Sequence, residues 1–150
     1  MSAVPLAIRG VAHPPPSKNG RDNRADLSRA EIQSTDLAGK PLLNEHDCSE
    51  RVGTVLASWE GPRGELRVAA NVEDPVAQQQ VRDGSLRGLS LGTDMIMNMS
   101  GEVAYRGQAE LSVCAEGRRP GTWIDNVNGQ VVHAVETFSS RNASKLLLPR

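Results

Sequence analysis

Short runs in which apolar residues alternate with polar or small residues occupy most of this chain, and turn residues separate them. Alternation with a period of two is typical of β-strands that bury one face. Gly61-Pro62-Arg63-Gly64 joins two of these runs and Asn128-Gly129 joins another two, so two β-hairpins are predicted. The runs that predict strands are Leu6–His13, Val52–Glu60, Glu65–Val72, Leu86–Thr93 with its extension Asp94–Met99, Val103–Glu116, Trp123–Val127 and Gln130–Val135.

Helical signals are confined to short segments. Asp74-Pro75 supplies an N-cap followed by proline at the first helical position, Val76–Arg82 continues with helix formers, and Gly84 fits a C-terminal cap. Ala25–Gln33 predicts another short helix. Because strands dominate and do not alternate with helices, the sequence predicts a mainly β, single-domain chain. The expected architecture is a closed or nearly closed antiparallel β-barrel with a few short peripheral helices.

The amino-acid composition argues against two classes of binding partner, nucleic acids and membranes. The 150 residues fit one domain, the net charge is −1 and aromatic residues make up 3% of the chain. This composition offers neither the basic surface nor the stacking platform of a nucleic-acid module, and it gives no attraction to an anionic membrane. The sequence also lacks an apolar run long enough to span a bilayer. We therefore expect neither nucleic acid nor a membrane as a partner.

The cysteines and histidines do not predict a metal site. Cys48 and Cys114 have no metal-type spacing, and the three histidines lie far apart in the sequence, at positions 13, 46 and 133. The N-terminus lacks the features of a secretory signal peptide, so both cysteines are expected to be free thiols, with Cys114 in the core. Cys48 lies too close in sequence to His46 to reach it with good geometry as a nucleophile. No metal and no cofactor are predicted.

Ser90 is the first candidate for chemistry. It lies between two leucines and two glycines in a predicted strand, and Gly88 and Gly92 allow another backbone or a ligand to approach it closely. Taken alone, the run fits an ordinary strand with an outward serine. It also satisfies the Gly-x-Ser-x-Gly elbow of α/β-hydrolases, with Asp125 and His133 downstream, but that fold needs a large parallel sheet with alternating helices. The hairpin pattern does not predict such a sheet.

Two further stretches stand beside the Ser90 run. Pro41–Asp47 reads Pro-Leu-Leu-Asn-Glu-His-Asp, and Glu110–Thr122 contains a Gly-Arg-Arg loop that ends in Gly-Thr. The order and spacing of the three stretches resemble those of the herpesvirus capsid-maturation proteases, the assemblins, and of the related prohead proteases of tailed phages. In that family a histidine follows a short apolar run and Asn, the serine lies in Gly-Leu-Ser-Leu, and the Gly-Arg-Arg loop follows. The match spans Pro41 to Thr122.

The resemblance implies a serine endopeptidase that works through an acyl-enzyme. Ser90 matches the nucleophile and His46 the general base. Glu110 falls where the herpesvirus enzymes have a second histidine as third triad member, and a carboxylate can orient the base and stabilise its imidazolium form. Arg118 matches the residue whose backbone N–H forms the oxyanion hole, and Arg119 the arginine that helps to hold a water there.

The resemblance also implies partners and a location. The expected substrates are scaffold and capsid precursor proteins inside an assembling procapsid, in the host nucleus if the origin is herpesvirus-like and in the bacterial cytoplasm if it is phage-like. Residues 1–140 are expected to form the protease domain and residues 141–150 a tail, which is a linker or, through Ala143-Ser144, a self-cleavage segment. A homodimer is left open, because little chain follows Thr122 to build the helical layer through which family members dimerise. An alternative is a catalytically inactive, structural or scaffold-binding β-barrel of the same fold.

Overall fold

β-Strands form most of the secondary structure, as the alternating pattern predicts. The computed structural model describes residues 4–16, 26–97, 99–100, 103–117 and 119–132. The predicted tail at 141–150, with Ala143-Ser144, lies outside the described residues. The elements, in chain order, are β1 (Leu6–His13), α1 (Arg29–Ser34), β2 (Pro41–Asn44), β3 (Asp47–Glu60), β4 (Leu66–Val72), α2 (Pro75–Asp83), β5 (Gly88–Met97), β6 (Val103–Cys114), β7 (Ile124–Val127) and β8 (Gln130–Val131).

The strands form a single sheet in the order β5-β6-β2-β3-β4-β1-β7-β8. Of the two predicted forms, a closed or a nearly closed barrel, the closed one is wrong, because the described sheet curls into a half-barrel and stays open between β5 and β8. The described backbone pairs β5 with the chain before β7 at the isolated bridge between Gly88 and Trp123 and the backbone hydrogen bonds around it. β8 has two residues and pairs with β7. Within the described residues the ladder therefore ends on both sides before the sheet can close.

One strand pair departs from the predicted antiparallel arrangement. β2 pairs antiparallel with β3 on one edge, and on its other edge it pairs parallel with β6, with Leu42 opposite Leu111 and Asn44 opposite Val113. Parallel neighbours need a long connection, and the chain from β3 to β5 supplies it. This pairing brings the turn after β2 beside the end of β6.

Local signals are confirmed at most turns and caps. Asn128 and Gly129 both have positive φ, 51° and 89°, as a type I′ hairpin turn requires. Asp74 accepts a hydrogen bond from the Ala77 N–H at the start of α2, and Gly84 ends the helix in the left-handed region with φ of 87°. The other helix, α1, is shorter than predicted.

α1 begins at Arg29 rather than at Ala25 because Ser28 caps it. The Ser28 hydroxyl accepts from the backbone N–H of Glu31, whose side chain accepts from the backbone N–H of Ser28. This reciprocal pair is a capping box, and it fixes the first turn of the helix. Neither helix in the described part of the chain is long and apolar enough to cross a membrane.

Aliphatic residues build the core, as the scarcity of aromatic residues requires. Leu89 and Leu91 of β5 and Leu111 and Val113 of β6 are buried in one cluster with residues of β1 to β4, α1 and α2. Full burial of each such side chain stabilises the fold by about 1.5–3 kcal/mol. Because successive strand residues point to opposite faces, this burial directs Ser90, between the two leucines, toward the other face of the sheet.

Candidate active site

A tight turn between β2 and β3 carries His46. Glu45 and His46 both have positive φ, 52° and 63°, which is uncommon for residues with a side chain. Two backbone N–H groups of this turn donate hydrogen bonds to β6. The Glu45 N–H donates to the carbonyl of Val113 at 3.0 Å, and the His46 N–H donates to Oγ of Ser112 at 2.9 Å. The parallel pairing of β2 with β6 therefore determines where the imidazole lies.

The structure brings Ser90, His46 and Glu110 together. Ser90 lies opposite Ser112 in the β5–β6 ladder, and Gly92 lies opposite Glu110. His46 Nε2 is 2.8 Å from Ser90 Oγ, and His46 Nδ1 is hydrogen-bonded to Glu110 Oε1. Three side chains that are far apart in the sequence thus form one hydrogen-bonded chain.

The hydrogen-bond partners define the tautomer that this chain of side chains requires. An ionised carboxylate only accepts hydrogen bonds, so the Nδ1–H of His46 donates to Glu110. The lone pair of His46 Nε2 then faces the hydroxyl of Ser90, which can donate its proton to it. Ser90 is buried to 6% exposure, whereas the His46 and Glu110 side chains are about one-third exposed at 34% and 30%. The arrangement can therefore move a proton from Ser90 to His46, next to an acceptor that stabilises the resulting charge.

Gly88 and Gly92, two residues on either side of Ser90, leave space that other parts of this protein occupy. A Cβ at Gly92 would overlap the Glu110 carboxylate, and a Cβ at Gly88 would overlap the backbone of Glu116 and Gly117. At Gly88 the approaching group is another backbone, as the sequence predicts, whereas at Gly92 it is a side-chain carboxylate of the neighbouring strand.

That loop is held against the Ser90 strand by Arg119. Its Nε donates to Oδ1 of Asp26 at 2.8 Å, and its Nη1 donates to the carbonyl of Leu91 at 2.9 Å. The hydroxyl of Thr122 donates to the carbonyl of Arg119 at 2.7 Å, which closes the loop on itself. Arg118, the predicted oxyanion-hole residue, lies outside the described residues. The side chain of Arg119 connects the loop to β5 and to the segment before α1.

The remaining candidates lie elsewhere. Cys48 is exposed and Cys114 is buried, and both are free thiols. Burial, together with the charge of Glu45, raises the pKa of the Cys114 thiol to about 11, so this thiol stays protonated at neutral pH. No group of three His, Cys, Asp or Glu side chains within the described ranges could hold a metal ion.

The α/β-hydrolase alternative is wrong, because the described strands form a largely antiparallel sheet with two short helices. Asp125 instead accepts a hydrogen bond from Nη2 of Arg67 at 2.7 Å. His133 lies outside the described residues.

The sequence does not predict that two further residues belong to this region. Ser112 contacts both His46 and Glu110, and only the strand register reveals that it lies opposite Ser90. Asp26 is 93 residues from Arg119 and lies in a polar stretch without a motif. Alternation along β6 could have grouped Ser112 with Glu110, whereas nothing local could have paired Asp26 with Arg119.

Comparisons with known proteins give a fold. No protein-family model matches the chain, and no curated protein matches it. Among solved structures it is similar to KSHV protease in complex with a hexapeptide phosphonate inhibitor, with 18% identity and a TM-score of 0.58 over 80% of this chain. A second KSHV protease structure aligns at 18% identity over 81% of this chain, with a TM-score of 0.46.

The chain spans 63% of the length of the first KSHV protease structure. At this level of identity the likeness establishes a shared fold. The fold implied by the resemblance to the herpesvirus capsid-maturation proteases is confirmed.

Proposed function

We propose that this chain is a serine endopeptidase that cleaves scaffold or capsid precursor proteins during viral capsid maturation. One observation carries the proposal: His46 is hydrogen-bonded to both Ser90 and Glu110. A hydroxyl, an imidazole and a carboxylate in this order are the components of a catalytic triad, which is defined by geometry and not by chain order. The fold shared with a KSHV protease supports the same conclusion.

In the proposed reaction, His46 Nε2 takes the proton of Ser90 as Oγ attacks the carbonyl carbon of a peptide bond. Glu110 stabilises the imidazolium that forms. The imidazolium then gives its proton to the leaving amine, the C–N bond breaks, and an ester joins Ser90 to the acyl part of the substrate. A water molecule, activated by His46, attacks the ester and releases a carboxylic acid, which restores the Ser90 hydroxyl.

The oxyanion of each tetrahedral intermediate needs hydrogen-bond donors. We assign this role to the loop after β6, with the backbone N–H of Arg118 as donor and Arg119 as the residue that helps to hold a water beside it. The bonds from Arg119 to Leu91 and Asp26 support a fixed position for this loop relative to the nucleophile strand. In comparable sites, removal of one such donor costs about 2.7–4 kcal/mol of transition-state stabilisation.

Because the substrates are proteins of the assembling particle, the proposed site of action is the procapsid interior. The proposal does not require a cofactor. A homodimer and a cut at Ala143-Ser144 are compatible with it, and either one can be measured once the protein is shown to be active.

A fluorophosphonate probe tests the nucleophile directly. Ser90 Oγ should displace fluoride and form a stable phosphonate ester, with its proton transferred to His46. Mass spectrometry should find the label on Ser90 in the wild-type chain and nowhere in Ser90→Ala. Ser58→Ala is the matched control, since Ser58 is a strand serine with hydrogen bonds only to the backbone of residues 35 and 37.

Incubation of the wild-type chain with its own scaffold protein should also yield discrete cleavage products that Ser90→Ala does not give. A wild-type chain that neither takes the label nor cuts the scaffold protein would contradict the proposal. That result would favour the inactive, scaffold-binding alternative.

A further inference from the structure

Ser112 is a buried hydroxyl in contact with two members of the proposed triad. It lies in β6 with 0% exposure, directly opposite Ser90 in β5. Its Oγ accepts a hydrogen bond from the His46 backbone N–H at 2.9 Å and donates one to Oε2 of Glu110 at 3.2 Å. The same oxygen is 3.4 Å from His46 Nδ1. One hydroxyl thus contacts three groups: the backbone N–H of His46, the imidazole ring of His46, and the carboxylate of Glu110.

The hydroxyl can satisfy all of these contacts at once. A serine offers one O–H donor and two acceptor lone pairs. The proton is directed to Glu110, one lone pair accepts the His46 N–H, and the other faces the Nδ1–H that Glu110 also accepts. The Glu110 carboxylate is therefore held at both oxygens, by Ser112 at Oε2 and by His46 at Oε1.

The backbone of His46 gives this contact a second consequence. His46 has a φ of 63°, a conformation that costs free energy for a residue with a side chain and persists only where neighbouring contacts enforce it. The hydrogen bond from the His46 N–H to Ser112 is one of the two that the backbone of this turn donates to β6. Loss of the hydroxyl would thus free both the turn that carries the base and the carboxylate that orients it.

We infer that Ser112 is a positioning residue, which fixes His46 and Glu110 relative to each other so that Nε2 faces Ser90. This inference rests on the proposed function. Ser112 is fully buried and contacts His46 and Glu110, so its effect on the reaction passes through these two side chains.

The test compares labelling rates with a fluorophosphonate probe. Ser112→Ala removes the hydroxyl, and Ser112→Cys fills its space with a weak donor and acceptor. Both variants should label Ser90 about tenfold more slowly than the wild-type chain, as expected when a hydrogen bond to a charged group is lost. Circular dichroism and thermal unfolding should show that both are folded, so a slow rate in either variant is not the result of misfolding.

Ser58→Ala is the matched control. Ser58 also accepts a backbone N–H, that of Leu37 at 3.0 Å, and donates to the carbonyl of Thr35 at 3.3 Å, but it lies in β3. A purely structural role for Ser112 predicts that the two alanine variants lose stability alike and that both label at the wild-type rate. The positioning role predicts that Ser58→Ala alone retains that rate.

Proton NMR measures the hydrogen bond between His46 and Glu110 directly, and this measurement does not depend on the overall stability of the fold. The Nδ1 proton of His46, shared with Glu110, should give a downfield signal in the wild-type chain and in Ser58→Ala. It should broaden or disappear in Ser112→Ala. If the wild-type chain takes the label while Ser112→Ala keeps both the rate and the signal, the inference is wrong and the proposed function stands. A wild-type chain that takes no label overturns the proposed function and, with it, this role of Ser112.

Discussion

In the proposed site, Glu110 sets the tautomer of His46 and so determines whether His46 can accept the proton of Ser90. The sequence predicts Ser90, His46 and Glu110 because each stands in a stretch with a recognisable order of residue types, and the structure brings the three side chains within hydrogen-bond distance. The stretch does not predict that Ser112 shares the Glu110 carboxylate, because that contact depends on the strand register and on the turn at His46. At the residue scale, motif spacing thus finds the three side chains that the structure brings together and misses Ser112, which contacts two of them.

Replacement of Glu110 by glutamine tests its part in the site. An amide can donate as well as accept, so Glu110→Gln would favour the tautomer of His46 that places a proton on Nε2 and no lone pair toward Ser90. We expect fluorophosphonate labelling of Ser90 to slow by about 10³–10⁴-fold, as for the corresponding change in other triads, with thermal stability nearly unchanged. Glu50→Gln, an exposed change in β3, should label at the wild-type rate. Equal rates for the two variants would exclude Glu110 from the triad.

At the scale of elements, alternation predicts which segments are strands and leaves their partners undetermined. β1, the β3–β4 hairpin and the capped helix α2 agree with the sequence because each is defined by local signals. The parallel pairing of β2 with β6 and the turn at Glu45-His46 have no such signal, since two residues with side chains occupy a turn that usually takes glycine or asparagine. The ion pair between Arg119 and Asp26, which we call the clasp, joins residues that are equally far apart in the sequence.

Asp26→Asn weakens that clasp without removing the side chain. The ion pair between Arg119 and Asp26 would become a weaker hydrogen bond from the charged guanidinium to a neutral amide oxygen, and the loop after β6 would be held less firmly against Leu91. We expect the labelling rate of Ser90 to fall about threefold to tenfold, with only a small loss in melting temperature. Arg29→Gln is the control, because it removes a surface ion pair in which Arg29 Nε lies 3.4 Å from Glu60 Oε2. It should change neither the labelling rate nor the melting temperature. An Asp26→Asn variant that labels as fast as the wild-type chain would show that the clasp does not hold the loop.

At the scale of the whole molecule, the sequence predicts a closed or nearly closed barrel, and the described sheet is an open half-barrel. Closure is a property of the sheet and not of any strand. Alternation reports which face of a strand is buried, and an open half-barrel buries the same face as a closed one. Closure would require a ladder between β5 and the last strands, and the described residues form a single bridge there, at Gly88 and Trp123. As a result, β5 lies at one end of the described sheet, and the strand that carries Ser90 has an edge that none of the described strands pairs with along its length. An end strand is suited to receive an extended peptide, which is the form of substrate that the proposed function needs.

Global stability should depend on one buried group of β6 at high pH. Burial raises the pKa of Cys114 from 9.0 to about 11, so between these values the folded chain keeps a proton that the unfolded chain releases. The contribution of this thiol to the free energy of unfolding is therefore constant below pH 9 and decreases as the pH rises toward 11. Urea unfolding at several pH values should show a smaller decrease over this range for Cys114→Ala than for the wild-type chain. Cys48→Ala, which removes the exposed thiol, should retain the wild-type slope, and equal slopes for all three proteins would contradict the assignment.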